Sequence, residues 1–373
     1  MINSESQQTG NRSHALDGLR GFAAVAVVFY HAILHNDLSL IDRVLHQPLQ
    51  SALSVRDVLT KLALVLQNGE MAVFVFFVLS GAVLRLSLDR RVHQRPVITC
   101  VVFLGVRLLR LYPPLLACLT LFYVLSVVGI PGYPRFEFRQ LLENATLFNI
   151  SMHGPSTTIQ AEVMAIPFIL GAWVLRRKLG LPGLMMIFIY GILALEFSRL
   201  VFNLPNMHAY LFAFMAGMLA AEPMLYPLIH QVPATSWWLV LCALIFCRTF
   251  HPQSSLTALV AMVISAALLV SGLLHGQRGS LSRMLEGKYA QLIGRVSFSL
   301  YLFNVPVLYL LWAYTDTLVW PKTHALEAGF LIGLFSLVLT LPIAWASEHW
   351  IERWSVALGR RLDRAIVAKF VRQ

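Results

Sequence analysis

The sequence predicts an all-α polytopic membrane protein of about 10 transmembrane helices, with both termini cytoplasmic. Three observations predict it. Hydrophobic residues make up 58% of the 373 and charged residues only 13%, against about 45–50% and about 25% in ordinary soluble domains. Apolar runs close to the roughly 20 residues needed to cross a bilayer recur along the whole chain. The basic residues between those runs concentrate on alternate sides, as topology requires.

The elements follow in order. A polar leader, residues 1–15, carries little positive charge and lacks a signal-peptide start, so the first apolar run, 18–36, reads as an uncleaved span. The second run is 70–88, "NGEMAVFVFFVLSGAVLRL". The third, 98–129, is long, and the Pro113–Pro114 pair is expected to interrupt it where it enters the bilayer. Further runs cover 158–175, 182–200, 207–222, 236–250, 255–275, 291–314 and 326–346, most joined by short loops. Residues 16–350 thus read as one transmembrane domain, and 351–373 as a basic cytoplasmic tail suited to an amphipathic helix on anionic lipid. Two longer segments, 37–69 and 130–157, fall on the far side, as connectors or as a pocket rim.

With the N-terminus in the cytoplasm, 21 of the 29 Lys and Arg residues lie on the cytoplasmic side and 8 on the far side. This asymmetry accounts for much of the net charge of +11 without nucleic acid. The four cysteines (Cys100, Cys118, Cys242, Cys247) lie in or beside apolar runs. They show no metal spacing and read as buried thiols. No metal site is expected.

Ionisable residues inside spans are costly and point to function. Arg20 and His31 are eleven residues apart, which is about 20° from a whole number of turns and about 16 Å along a helix. They share one face, and Asp17, three residues before Arg20, lies near it. An imidazole there serves as a general base or nucleophile, or simply bonds a neighbouring helix. Ser80 and Gly81 are small enough for a close helix contact. Arg85 is an interfacial anchor or a phosphate contact. Arg107 and Arg110 share a face and form either an anion site or ordinary flanking charge. Glu162 is expected just inside the far-side opening, where it needs a cation or a proton. Asn304 is placed in mid-membrane, hydrogen-bonding between helices or orienting His31.

Together these stretches resemble the acyltransferase-3 family of membrane-bound bacterial acyltransferases. The opening "LDGLRG" with Arg-x10-His stands at residues 16–21 and His31. "FFVLSG" is 76–81, "VRLLRLYP" is 106–113, "TTIQAE" is 157–162 and "SLYLFNVPV" is 299–307. Two positions depart from the family's pattern: Thr157 replaces a tryptophan and Asn304 replaces a histidine that could titrate.

The resemblance implies an O-acyltransferase in the bacterial cytoplasmic (inner) membrane. Its donor would be acyl-coenzyme A, acetyl-coenzyme A by default, and its acceptor a glycan or lipid-linked sugar. Arg20, Arg85, Arg107 and Arg110 would hold the donor's phosphates. His31 would deprotonate the acceptor or carry the acyl group itself, Asp17 would orient Arg20, and Glu162 would hold acceptor or proton. A reading of a different class is a proton-coupled transporter or flippase using the same charges. Inverted repeats and paired broken helices, which would favour it, are not evident. A His-x4-Asp acyltransferase motif fails on spacing, since five residues after His31 and His35 stand Asn36 and Leu40.

Overall fold

The computed structural model describes residues 14–51, 54–91, 95–204, 206–250 and 255–371. All but the last two residues of the polar leader lie outside this set. The described residues form helices and connections, with no strand among them. In chain order the helices are α1 (His14–Asn36), α2 (Val55–Leu66), α3 (Gly69–Asp89), α4 (Pro96–Val128), α5 (Phe138–Ala145) and α6 (Ser156–Leu179). There follow α7 (Leu181–Glu196), α8 (Met207–Ala220), α9 (Tyr226–Gln231), α10 (Ser236–Phe246) and α11 (Leu256–Leu274). The last are α12 (Ser280–Leu285), α13 (Lys288–Thr315), α14 (Val319–Thr323), α15 (Ala325–Ser347) and α16 (Arg353–Val371).

Each of the ten apolar runs is centred on a helix. Seven helical stretches among the described residues are long and apolar enough to cross a membrane. The runs that fall short are α7, α8 and α10, with 16, 14 and 11 residues. Helix α8 stops before Pro223 and bends by 64° into α9, because proline cannot continue the hydrogen-bond ladder.

Helix α1 packs against α13, α15 and α3, and α3 packs against α8 and α11. Outward faces stay apolar: Leu331, Leu334, Phe335 and Val338 of α15 are all exposed. That spacing is one helical stripe, and lipid is the solvent that tolerates it. The α3–α8 crossing depends on two glycines. A Cβ at Gly81 would lie 2.1 Å from the Phe214 carbonyl oxygen, and one at Gly217 would lie 2.0 Å from that of Val78. The two backbones touch, and any larger side chain would force them apart.

The proline pair behaves otherwise than expected. Helix α4 runs unbroken through Pro113 and Pro114. A missing N–H removes single ladder bonds, and neighbouring helices hold the segment in shape. A similar device operates at Pro306 in α13. Its lost N–H frees the Leu302 carbonyl, which accepts instead from His153 Nε2 at 3.2 Å and Cys118 Sγ at 3.3 Å. His153 is fully buried. Met152, His153 and Pro155 are therefore buried against the bundle just before α6 starts, while Phe148, Asn149 and Ser151 stay exposed.

The other far-side segment contains α2 and is clipped by Lys61, whose ammonium donates to the carbonyls of Val44, Leu45 and Gln47. The tail forms α16, which lies along α4 and is tied to Arg91 through Asp363 at 2.8 Å.

Candidate active site

A cavity lies among α1, α3, α4, α6 and α13. Arg20, Arg107 and Arg110 line it together with Ser80, Glu162, Thr158 and Tyr301. Three arginines and one carboxylate line it, with Asp17 against Arg20 and Glu352 near Arg110 behind them. Arg107 Nη2 donates to Glu162 Oε2 at 2.6 Å and to Ser80 Oγ at 2.9 Å, and Ser80 Oγ donates to Glu162 Oε1 at 3.2 Å. This closed triangle fixes Arg107. Arg110 makes no hydrogen bond or ion pair with a described residue. Its charged neighbours are Arg107, Arg20, Glu162 and Glu352. Its donors remain available to an anion at the cavity wall. Asp17 lies 3.8 Å from Arg20.

Glu162 departs from the sequence expectation. The carboxylate placed near the far-side opening is in ion contact with Arg107, so the two regions that the sequence separates are one. His153, three residues before α6, reaches Cys118 of α4, which brings the first turns of α6 alongside the middle of α4.

Ser80 touches the site, whereas Gly81 faces α8 at the crossing described above. Arg85 lies elsewhere. It is fully buried and pairs with Glu222 at 3.1 Å and Asp89 at 3.4 Å, and it donates to the Met218 carbonyl at 2.8 Å. Glu222 also binds Arg176 at 2.7 Å. Asn304 is buried and donates to the carbonyls of Leu300 and Tyr301 at 3.0 and 2.6 Å in its own helix. It neither bridges helices nor orients His31, because those carbonyls lie one turn back on α13 and are nearer.

His31 lies at the other end of the stripe. Gly69 of α3 is against the Tyr30 ring, while Ser80 shares the cavity with Arg20. Helices α1 and α3 are thus antiparallel. The cavity climbs α3 as far as Val73, four residues or about 6 Å short of Gly69. It therefore ends about one turn below the level of His31. The imidazole is exposed, and no described residue hydrogen-bonds it.

Sequence reasoning missed Thr158, Tyr301 and Glu352, which meet this site only through the folding of distant helices. Glu352 accepts a hydrogen bond from Ser299 in the π-helical turn Glu348–Glu352. Among the described residues no cluster of His, Cys, Asp and Glu forms a metal site.

One family description, an acyltransferase domain named Acyl_transf_3, matches residues 13–349. The chain belongs to the acyltransferase-3 family. It is a membrane acyltransferase, and the motifs named above fall on the helices that build the cavity: α1, α3, α4, α6 and α13. Searches of curated proteins and of solved structures each return no match. For this acyltransferase, the family's opening and central motifs supply the arginines, Ser80 and Glu162, and its late motif supplies Tyr301 beside Asn304.

Proposed function

We propose that this acyltransferase moves an acyl group, acetyl by default, from cytoplasmic acyl-coenzyme A to a hydroxyl of a cell-surface or secreted glycan in the bacterial inner membrane. The observation that supports this most is the cavity lined by Arg20, Arg107 and Arg110, which climbs α3 to about one turn short of His31. The donor has phosphates at one end and a thioester on a long thin arm. Arg110 and Arg20 bind the phosphates by charge-assisted bonds. Glu162 and Ser80 hold Arg107 in place beside them, and Asp17 does the same for Arg20. The arm runs between Phe76, Phe77 and Tyr301, which line the cavity.

The accessible His31 accepts the proton of the acceptor hydroxyl. The freed oxygen bonds to the thioester carbonyl carbon, the carbon–sulfur bond breaks, and the thiolate leaves with the proton that His31 returns. Arg85, held by two carboxylates away from the cavity, takes no part in donor binding on this reading.

The test uses purified chain with labelled acetyl-coenzyme A and envelope glycans, read by mass spectrometry. An acetyl mass gained by a glycan is the expected result. His31→Ala should lower transfer by about 10²- to 10⁴-fold with the protein still inserted. Full activity in an inserted His31→Ala protein would remove the imidazole from the reaction. An acyl group trapped on the protein would replace direct transfer with an acyl-histidine route.

A further inference from the structure

A second polar cluster borders His31, and no step above uses it. Glu70, at the start of α3, forms an ion pair with Arg248, which follows α10. The Arg248 side chain is 7% exposed and that of Glu70 is 31% exposed, so the carboxylate is the accessible member. Tyr30 stands between this pair and His31. Its ring centre is 5.7 Å from that of the imidazole, and its phenol is in electrostatic reach of both Glu70 and Arg248. On the other side Tyr210 is within reach of Glu70, and its ring is 4.5 Å from that of Phe77, which lines the cavity.

The polar atoms here are not all satisfied. Arg248 Nε, the Thr249 hydroxyl and Gln67 Oε1 are buried without a hydrogen-bond partner. Buried polar groups are normally paired, because leaving one unpaired costs about 1–3 kcal/mol. Three such atoms lie close in sequence to this one ion pair.

We propose that Glu70, Arg248, Tyr30 and Tyr210 form the acceptor subsite, and that its ligand is a neutral sugar ring with two neighbouring hydroxyls. This rests on the acyl transfer proposed above. A carboxylate accepts from two adjacent hydroxyls at once, and the guanidinium behind it holds it oriented. Two tyrosine rings offer apolar faces to the sugar's C–H groups and phenols to its oxygens. An anionic acceptor is disfavoured, since the accessible charge is negative. The position also serves the chemistry: a ring held on Glu70 presents its next hydroxyl to His31, one residue along from Tyr30.

The experiment uses the full chain in lipid nanodiscs with labelled acetyl-coenzyme A. Methyl glucoside, methyl galactoside and methyl rhamnoside serve as acceptor probes. The variants are Glu70→Gln, Tyr30→Phe, and the double Glu70→Gln with Arg248→Gln, which leaves no unpaired charge behind. At least one glycoside should be acetylated by the unmodified protein. Its half-saturating concentration should rise by about tenfold or more in both Glu70 variants, the effect of losing a hydrogen bond to a charged group, and by less in Tyr30→Phe. The half-saturating acetyl-coenzyme A and the rate at saturating glycoside should not change. An unchanged glycoside requirement in both Glu70 variants would overturn the subsite, as would a fall in maximal rate alone. Acetylation of the nanodisc phospholipid with none of the glycosides would overturn the sugar assignment. Absence of any acetyl release from acetyl-coenzyme A by the unmodified protein would instead overturn the function on which the subsite rests.

Discussion

Arg85 and Arg110 look alike in the sequence, each a cation set in apolar surroundings, yet the fold treats them oppositely. Arg85 meets two carboxylates and a carbonyl, and Arg176 completes a set of two cations and two anions. Arg110 faces a cavity beside two other arginines and a single lining carboxylate. A closed network of ion pairs fastens helices, whereas a guanidinium at a cavity wall whose donors are unused can take up an anion. What separates an anchor from a binding group is how completely its charge is already answered.

This difference is open to direct attack. Arg85→Ala should give the largest effect. It leaves buried Glu222 with Arg176 as its remaining ion partner and deprives Asp89 of Arg85, and should cost about 1–3 kcal/mol of stability, read as a fall in melting temperature and in folded yield. A stable Arg85→Ala protein with a weakened donor requirement would erase the contrast and return Arg85 to the donor site. Arg110→Ala should leave the melting temperature nearly unchanged. It should raise the half-saturating acyl-coenzyme A by roughly 10- to 100-fold, the range for a lost charge-assisted contact. Arg110→Lys sharpens the same point, since a single ammonium keeps the charge and loses the fork; recovery of about half of that loss in free energy is expected. The smallest effect belongs to Asn304→Leu. Its Oδ1 is already buried without a partner, so removing the amide should change stability by less than about 1 kcal/mol and leave transfer within about twofold. A large loss of rate without a loss of stability would give Asn304 a role in the chemistry.

The helices were legible because a bilayer imposes a length and a composition that a sequence displays openly. The stripe from Arg20 to His31 was legible for a similar reason, since helical spacing is arithmetic. Depth was not. Nothing local in "TTIQAE" tells that Glu162 lies against Arg107, because its position depends on His153 being drawn inward by a carbonyl that Pro306 leaves open on a distant helix. The continuity of α4 through Pro113 and Pro114 was hidden in the same way: the intrinsic preference of proline is local, and the packing that overrides it is not. Glu70 was visible only as one more charge at a span's end. Its partner Arg248 stands 178 residues away, and no periodicity connects the two.

The captured Leu302 carbonyl has a mechanical consequence. Residues 153–156 are held by α13 and α4 from within, with His153 also hydrogen-bonded to Ser156 at 2.9 Å. A segment moored at such depth does not swing like a flap. The same mooring sets where α6 begins, and with it the position of Glu162. A change in the small patch of Pro306, Cys118 and His153 would therefore be felt at the Glu162–Arg107 pair, one wall of the cavity away from the patch itself.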